Sequence, residues 1–141
     1  MRVFVDTNVL LDVLANRVPF AADSSCIWTL AERGRIEAGV SVISFNNVYY
    51  VLRRHGGRAS AEKALRLLRD VFRPVAFDTQ LLQQAVDAGF DDFEDAVQYF
   101  SAIRDEAGCL ISRNPDHFPR SGLPVLTPKE FLAVHAPGEG R

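Results

Sequence analysis

Val3-Phe4-Val5-Asp6-Thr7-Asn8-Val9-Leu10 is the stretch from which the architecture can be read. Its first three residues are apolar, two of them β-branched and one aromatic, and such a run predicts a strand buried on both faces. The run stops at Asp6-Thr7-Asn8 and gives way to a helix-compatible segment from Val9 to Ala15. A buried strand that passes through a polar turn straight into a helix opens an α/β sheet with parallel strands.

The same alternation continues along the chain. A helix is expected over Ala21 to Arg33, with Ile27, Leu30 and Ala31 on one face and Gly34 as its stop, and then a buried strand over Val40 to Ile43. Ser44 to His55 carries Phe45, Val48, Tyr49 and Leu52 at helical spacing, and Gly56-Gly57 predicts its end. Ser60 to Phe72 reads as a second helix capped by Ser60, followed by a strand at Val75 to Phe77 and a helix from Asp78 to about Ala88. Phe93, Ala96, Val97, Phe100, Ile103 and Ala107 keep helical period after the cluster Asp91-Asp92-Phe93-Glu94-Asp95, in which Asp92 is the natural cap. Cys109 to Ile111 and Val125-Leu126 are the last predicted strands, and Thr127-Pro128-Lys129-Glu130 is a helix-start signature. The fold class is therefore α/β, a three-layer α/β/α sandwich around a mostly parallel sheet. Nothing divides the chain, so residues 1–134 are read as one domain and 135–141, rich in Gly and Pro, as a flexible tail.

Composition bounds the rest. With 141 residues and 48% hydrophobic content the chain has material for a substantial core, which excludes a disordered segment or a disulfide-stapled miniprotein. Cys26 and Cys109 lie in apolar sequence without metal or redox spacing and are read as reduced, buried thiols in a cytoplasmic protein. The opening meets Asp6 before a signal-peptide apolar region develops, so a cleaved export signal is not expected. Serine-hydrolase elbows, phosphate-binding loops and dinucleotide fingerprints are missing.

Ligands of open parallel sheets bind beyond the carboxyl ends of the strands, which makes acids at those ends informative. Asp6 ends the first strand, Asp116 lies in the loop after Cys109 to Ile111, and Asp95 opens the helix leading to that strand. Carboxylates converging at one edge repel unless they share a cation, and an all-oxygen donor set suits magnesium or manganese better than zinc. Thr7, Asn8, Ser112 and Asn114 offer neutral oxygens for supporting contacts. Each acid also has a structural explanation: Asp6 as a helix cap, Asp95 as the completion of a cap begun by Asp92, Asp116 as a turn former. The histidines His55, His117 and His135 show no metal or triad spacing and read as structural or surface residues.

The net charge of -2 hides an asymmetry. From Arg53 to Arg73 seven basic residues face two acids, whereas from Asp78 to Glu106 eight acids face Arg104 alone. A basic helical arm beside an acidic pocket is suited to a phosphate backbone, with Arg53, Arg54, Arg58 and Arg113 as candidate RNA contacts. A solvated helix face or a protein-binding surface accounts for the same pattern.

With these residues in view, the sequence resembles the PIN domain family, close to the VapC-type toxins of bacterial toxin-antitoxin pairs. The marks are Val3-Phe4-Val5-Asp6-Thr7-Asn8-Val9-Leu10, Asp92-Phe93-Glu94-Asp95-Ala96-Val97-Gln98 and Leu110-Ile111-Ser112-Arg113-Asn114-Pro115-Asp116-His117-Phe118, in order along nearly the whole chain. The resemblance implies a magnesium- or manganese-dependent endoribonuclease, held silent by an antitoxin protein and assembled as a homodimer. Asp6, Asp95 and Asp116 then stand as metal-binding acids, Asn114 as the neighbour of the last, and Thr7, Asn8 and Ser112 as supports. One departure is visible: Asn47 occupies the place where the family usually has a glutamate, beside Asn46. An amide oxygen can coordinate or bind a water but brings no charge, so a module that binds RNA or a protein partner without cutting is the competing reading. An aspartate-based phosphotransferase would need an acid where Asn8 stands, or a phosphoacceptor in Ile43-Ser44-Phe45.

Overall fold

The computed structural model describes residues 1–135. Five strands, β1 (Arg2–Val5), β2 (Glu37–Ser41), β3 (Arg73–Val75), β4 (Cys109–Ile111) and β5 (Val125–Leu126), form one sheet in the order β3-β2-β1-β4-β5 with every neighbouring pair parallel. Among the described residues six α-helices connect and cover them: α1 (Thr7–Leu14), α2 (Ala21–Glu32), α3 (Val42–Val71), α4 (Thr79–Asp87), α5 (Phe93–Arg104) and α6 (Pro128–Val134). A short 3₁₀ turn, Pro115–His117, follows β4.

The opening run behaves as its composition requires. Val3 and Val5 pack with Val9, Leu10, Ile27, Val48, Leu68 and Phe131 on the face covered by α1, α2, α3 and α6. Phe4 turns to the opposite face, where it meets Tyr99, Ala102, Leu110 and Phe118. Phe4 is wholly buried, a contribution of about 2–3 kcal/mol. β4 repeats the division, with Cys109 and Ile111 on the first face and Leu110 on the second. Three layers follow directly from side chains that alternate across a strand buried on both sides.

Several boundaries move from those the sequence predicts. β2 ends at Ser41 and not at Ile43, because the Ser41 hydroxyl accepts the backbone N–H of Ile43 at 3.1 Å and starts α3 there. Val42 and Ile43, β-branched and strand-like in composition, are helical for that reason. β3 lies two residues earlier than expected, ending at Val75, after which Asp78 caps α4 by accepting from Leu81 N–H at 3.0 Å. Cys26 is exposed and only Cys109 is buried, since Ile27 takes the inward position on α2. Burial pushes the Cys109 thiol up to about 11. Of the predicted tail, only His135 is described, its ring 4.5 Å from that of Phe131; residues 136–141 lie outside the described residues.

The expected break at Gly56-Gly57 is present: α3 is two helical segments that meet at a kink at Gly57, and only the cap differs, since Ser60 already lies within the second segment. Gly57 has φ 85° and ψ 176°, a region open essentially to glycine alone. A Cβ there would meet nothing within 4 Å, so only the backbone opposes substitution. Gly57→Ala is expected to destabilise the protein by about 1–3 kcal/mol in urea unfolding, whereas Gly56→Ala, at an ordinary φ and with only the Ser60 side chain to move, 3.1 Å from the added Cβ at its Oγ, should cost less.

Candidate functional site

The strand order reverses beside β1, which pairs with β2 on one side and β4 on the other, and Asp6 stands at the carboxyl end of β1 at this switch point. Asp6 occupies the N-cap position of α1 yet makes no side-chain capping bond. Its carboxylate instead accepts a hydrogen bond from Ser112 Oγ at 2.8 Å, and Ser112 Oγ in turn accepts from the backbone N–H of Asn114 at 3.2 Å. The cap explanation of Asp6 therefore fails: the side chain is directed to the loop after β4.

Asp6 is 4% exposed. Burial raises its pKa to about 7; the Ser112 bond opposes this, and the charges of Asp95 and Glu94 add to it. None of the groups acting on it is a cation. Asp95 and Glu94 are themselves raised, first by desolvation and then by neighbouring acids, although His117 pulls Asp95 back. Glu94 thus belongs to the electrostatics of the site, which its surface-like place in the cluster concealed. Asp92 is the α5 cap, accepting from Glu94 N–H at 2.8 Å.

Contacts below the acids show how separate elements meet. Thr7 Oγ1 and Ser44 Oγ are 2.7 Å apart, and Gln98 Nε2 donates to both, at 3.3 and 3.4 Å. α5, which carries Asp95 in its first turn, is thereby held against the start of α1 and the start of α3. Asn47, three residues beyond Ser44 on α3, is half-buried. Asn8 Oδ1 accepts the backbone N–H of Arg113 at 3.3 Å, so Asn8 supports the loop after β4.

Asp116 does not join this group visibly. It is exposed on the 3₁₀ turn and lines a separate depression with Pro115, Phe118, Pro119, Arg120 and Val125. The residue of that turn that reaches the acids is His117, whose Nδ1 lies 3.2 Å from Asp95 Oδ2. The turn is pinned at both ends, by Ser112 against Asp6 and by Phe118 stacked on Tyr99 of α5. Sequence spacing gave His117 no role; only the curl of the turn selects it over its neighbour.

Arg113, read as an RNA contact, has internal partners. Its guanidinium lies 4.3 Å from the centroid of the Phe20 ring, and Nε stands 3.2 Å from Oδ2 of Asp12, which is wholly buried in α1. Arg53, Arg54 and Arg58 are exposed on α3. Arg53 donates to Tyr49 Oη, Arg54 lies over the Tyr50 ring, and Arg58 pairs with Glu62.

Among the described residues no three His, Cys, Asp or Glu side chains gather into a ready-made metal cage. The chemistry of the donors nevertheless fits a hard dication. Asp6 is a buried carboxylate without a compensating cation, beside two further acids and the Ser112 hydroxyl, a set of oxygen donors. Asp6 and Asp95, with Glu94 adding charge, are the residues that would hold it.

An acid at the switch point of a 3-2-1-4-5 parallel sheet, facing a second acid from a crossover helix, defines a class of α/β proteins with an acidic strand-end site. The chain belongs to the PIN domain family, whose model matches residues 2–116. No curated protein sequence is significantly similar to it. Among solved structures, a toxin-antitoxin complex from Klebsiella pneumoniae matches with a TM-score of 0.66 and 20% identity over 89% of this chain and 97% of that one. VapBC2 from Rickettsia felis, bound to a DNA fragment from its promoter, matches with a TM-score of 0.65 and 12% identity over 90% and 98%. VapC20 from Mycobacterium tuberculosis, a toxin that cleaves the sarcin-ricin loop, matches with a TM-score of 0.62 and 17% identity over 77% and 86%. At these identities the likeness is one of fold. No helix among the described residues is long and apolar enough to cross a membrane.

Proposed function

We propose that this protein is a magnesium- or manganese-dependent endoribonuclease, the cytoplasmic toxin of a toxin-antitoxin pair, with residues 1–134 as its nuclease domain. The observation that carries the reading is the buried, uncompensated carboxylate of Asp6 beside Asp95 at the switch point of a PIN fold. The toxins among its structural neighbours support the rest, including an antitoxin partner; a homodimer is proposed on the family resemblance.

A bound dication supplies charge neutralisation on a scissile phosphodiester and acidifies an attacking water. The chain's own residues do the remainder. Asp6 and Asp95 present oxygens to the ion, Ser112 fixes the rotamer of Asp6, and His117 holds Asp95 through Oδ2. Thr7 and Asn8 hold the elements around Asp6, and Asn47 offers a neutral amide oxygen from α3. Asp116, with Asn114 before it, is kept as a ligand only on the resemblance. Arg53, Arg54 and Arg58 line α3 as contacts to the RNA backbone, while Arg113 acts through Asp12 and the loop.

Purified protein is expected to cleave single-stranded RNA with Mg²⁺ or Mn²⁺, to lose the activity in EDTA and to regain it when Mn²⁺ is restored. Asp95→Asn should abolish cleavage, and Asp116→Asn should reduce it less, because Asp116 stands apart from the buried acids. Chelator-resistant cleavage that survives Asp95→Asn overturns the proposal. The second reading, an RNA-binding module that does not cut, is favoured by the missing third acid and by Asn47. Retained RNA affinity without any Mg²⁺ binding at millimolar ion would establish it.

A further inference from the structure

Gln98 is wholly buried in α5, three residues past Asp95, and its side chain is the link between Thr7, next to Asp6, and Ser44, three residues before Asn47. Each member of this network therefore sits within one helical turn of a different candidate site residue. We propose that Gln98, through the Thr7 and Ser44 hydroxyls, is a positioning residue that sets the mutual placement of Asp6, Asn47 and Asp95.

The energetics separate this role from simple stabilisation. Thr7 and Ser44, both buried, already share one hydrogen bond at 2.7 Å. Gln98 adds two longer bonds, and its Oε1 is buried without any partner, which carries an uncompensated desolvation cost. An apolar side chain of similar size would fill the same space without that orphan, so the amide is a poor device for stability alone. What it does uniquely is connect three elements that reach the site from opposite layers: α1 and α3 from one face of the sheet and α5 from the other. Partners bonded directly to a ligand typically cost about 10–100-fold in metal affinity when lost, and Gln98, one contact further out, is expected to act at the lower end of that range.

The inference rests on the metal-binding reading, and its test keeps the two apart. Wild-type full-length protein, Gln98→Met and Ser44→Ala are compared by urea unfolding, by calorimetric titration with Mn²⁺ and by amide hydrogen exchange. Gln98→Met should leave the unfolding midpoint unchanged or raised, weaken Mn²⁺ binding about 10-fold, and speed exchange in residues 42–47 and 93–98. Ser44→Ala, a small change, should show faster exchange confined to 42–47. Mn²⁺ affinity that falls only in step with stability, or exchange in both segments that matches wild type, overturns the positioning role. Should wild type bind no Mn²⁺, the metal reading fails by itself, and the exchange measurements still decide the role of Gln98.

Discussion

Asp6→Asn is expected to abolish RNA cleavage and, in metal-free buffer at pH 8, to make the protein harder to unfold. Asparagine has the same shape, and its carbonyl oxygen can still accept the Ser112 hydroxyl, so the variant keeps the local packing and removes only the charge. Loss of that charge from the centre of the site should lower cleavage by about 100-fold or more, corresponding to about 3 kcal/mol of transition-state stabilisation. The stability gain follows from the raised pKa. Asp6 titrates near 3.8 in the unfolded chain and near 7 in the folded one, so between those values the folded state binds more protons and stability falls as pH rises. Below about pH 4 the carboxyl is neutral in both states and the substitution should be almost silent. Above pH 7 the full penalty is present, on the order of 2–4 kcal/mol, and Asn relieves it. Urea unfolding of both proteins in EDTA at pH 4.5, low in the titration window where only part of the penalty has developed, and at pH 8, one unit above its upper limit, reads the difference. A stabilisation equal at the two pH values, or a variant weaker at pH 8, would contradict the assignment of Asp6 as a buried, uncompensated carboxylate.

The parts of this site that were legible in sequence are those fixed by neighbours along the chain. Asp6 follows a buried strand, so its place at a strand end needed no tertiary information. Asp92 and Thr127 are caps by local rules, and both behave as such, the latter in a full capping box with Glu130. What stayed hidden depends on direction in space. The 3₁₀ turn aims His117, and not Asp116, at Asp95. Arg113 turns inward because Asp12, an acid set in the apolar run Val9 to Leu14, is buried and carries a charge that needs a partner. That interrupted run was the available signal for the pair, as Gln98, polar within the buried stripe of α5, was for the network under the acids. β2 was displaced because the hydroxyl of Ser41 outweighs the strand preference of Val42 and Ile43.

At the far edge of the sheet a different polar contact controls stability, and Asp105→Ala is expected to be among the more damaging single substitutions, costing about 1.5–3 kcal/mol. Asp105 follows α5 and its side chain is 5% exposed. Both of its carboxylate oxygens pair with the Arg73 guanidinium at the start of β3, Nη1 with Oδ1 and Nη2 with Oδ2, and Arg2 Nη1 donates to its backbone carbonyl at 3.0 Å. One residue thus ties the end of a covering helix to the beginnings of β1 and β3. Removing the carboxylate takes away both bonds of a bidentate pair, and because only Asp105 is buried while the Arg73 side chain is 41% exposed and can turn to water, the loss should lie between that of an exposed ion pair and that of a fully buried one. Gly39, in the middle of β2, makes the space: a Cβ there would fall 2.6 Å from Asp105 Oδ2, 3.2 Å from Val75 Cγ2 and 3.3 Å from Arg73 Nη2. Gly39→Ala must therefore displace the same pair and should destabilise the protein by about 1–3 kcal/mol. Because both changes strike one contact, Gly39→Ala combined with Asp105→Ala should cost clearly less than the sum of the two, measured as a double-mutant cycle in urea. Strict additivity would mean that the glycine serves the strand for some other reason. Neither change touches the carboxyl ends of the strands, so at a temperature where the variants remain folded their RNA cleavage should match that of the parent protein.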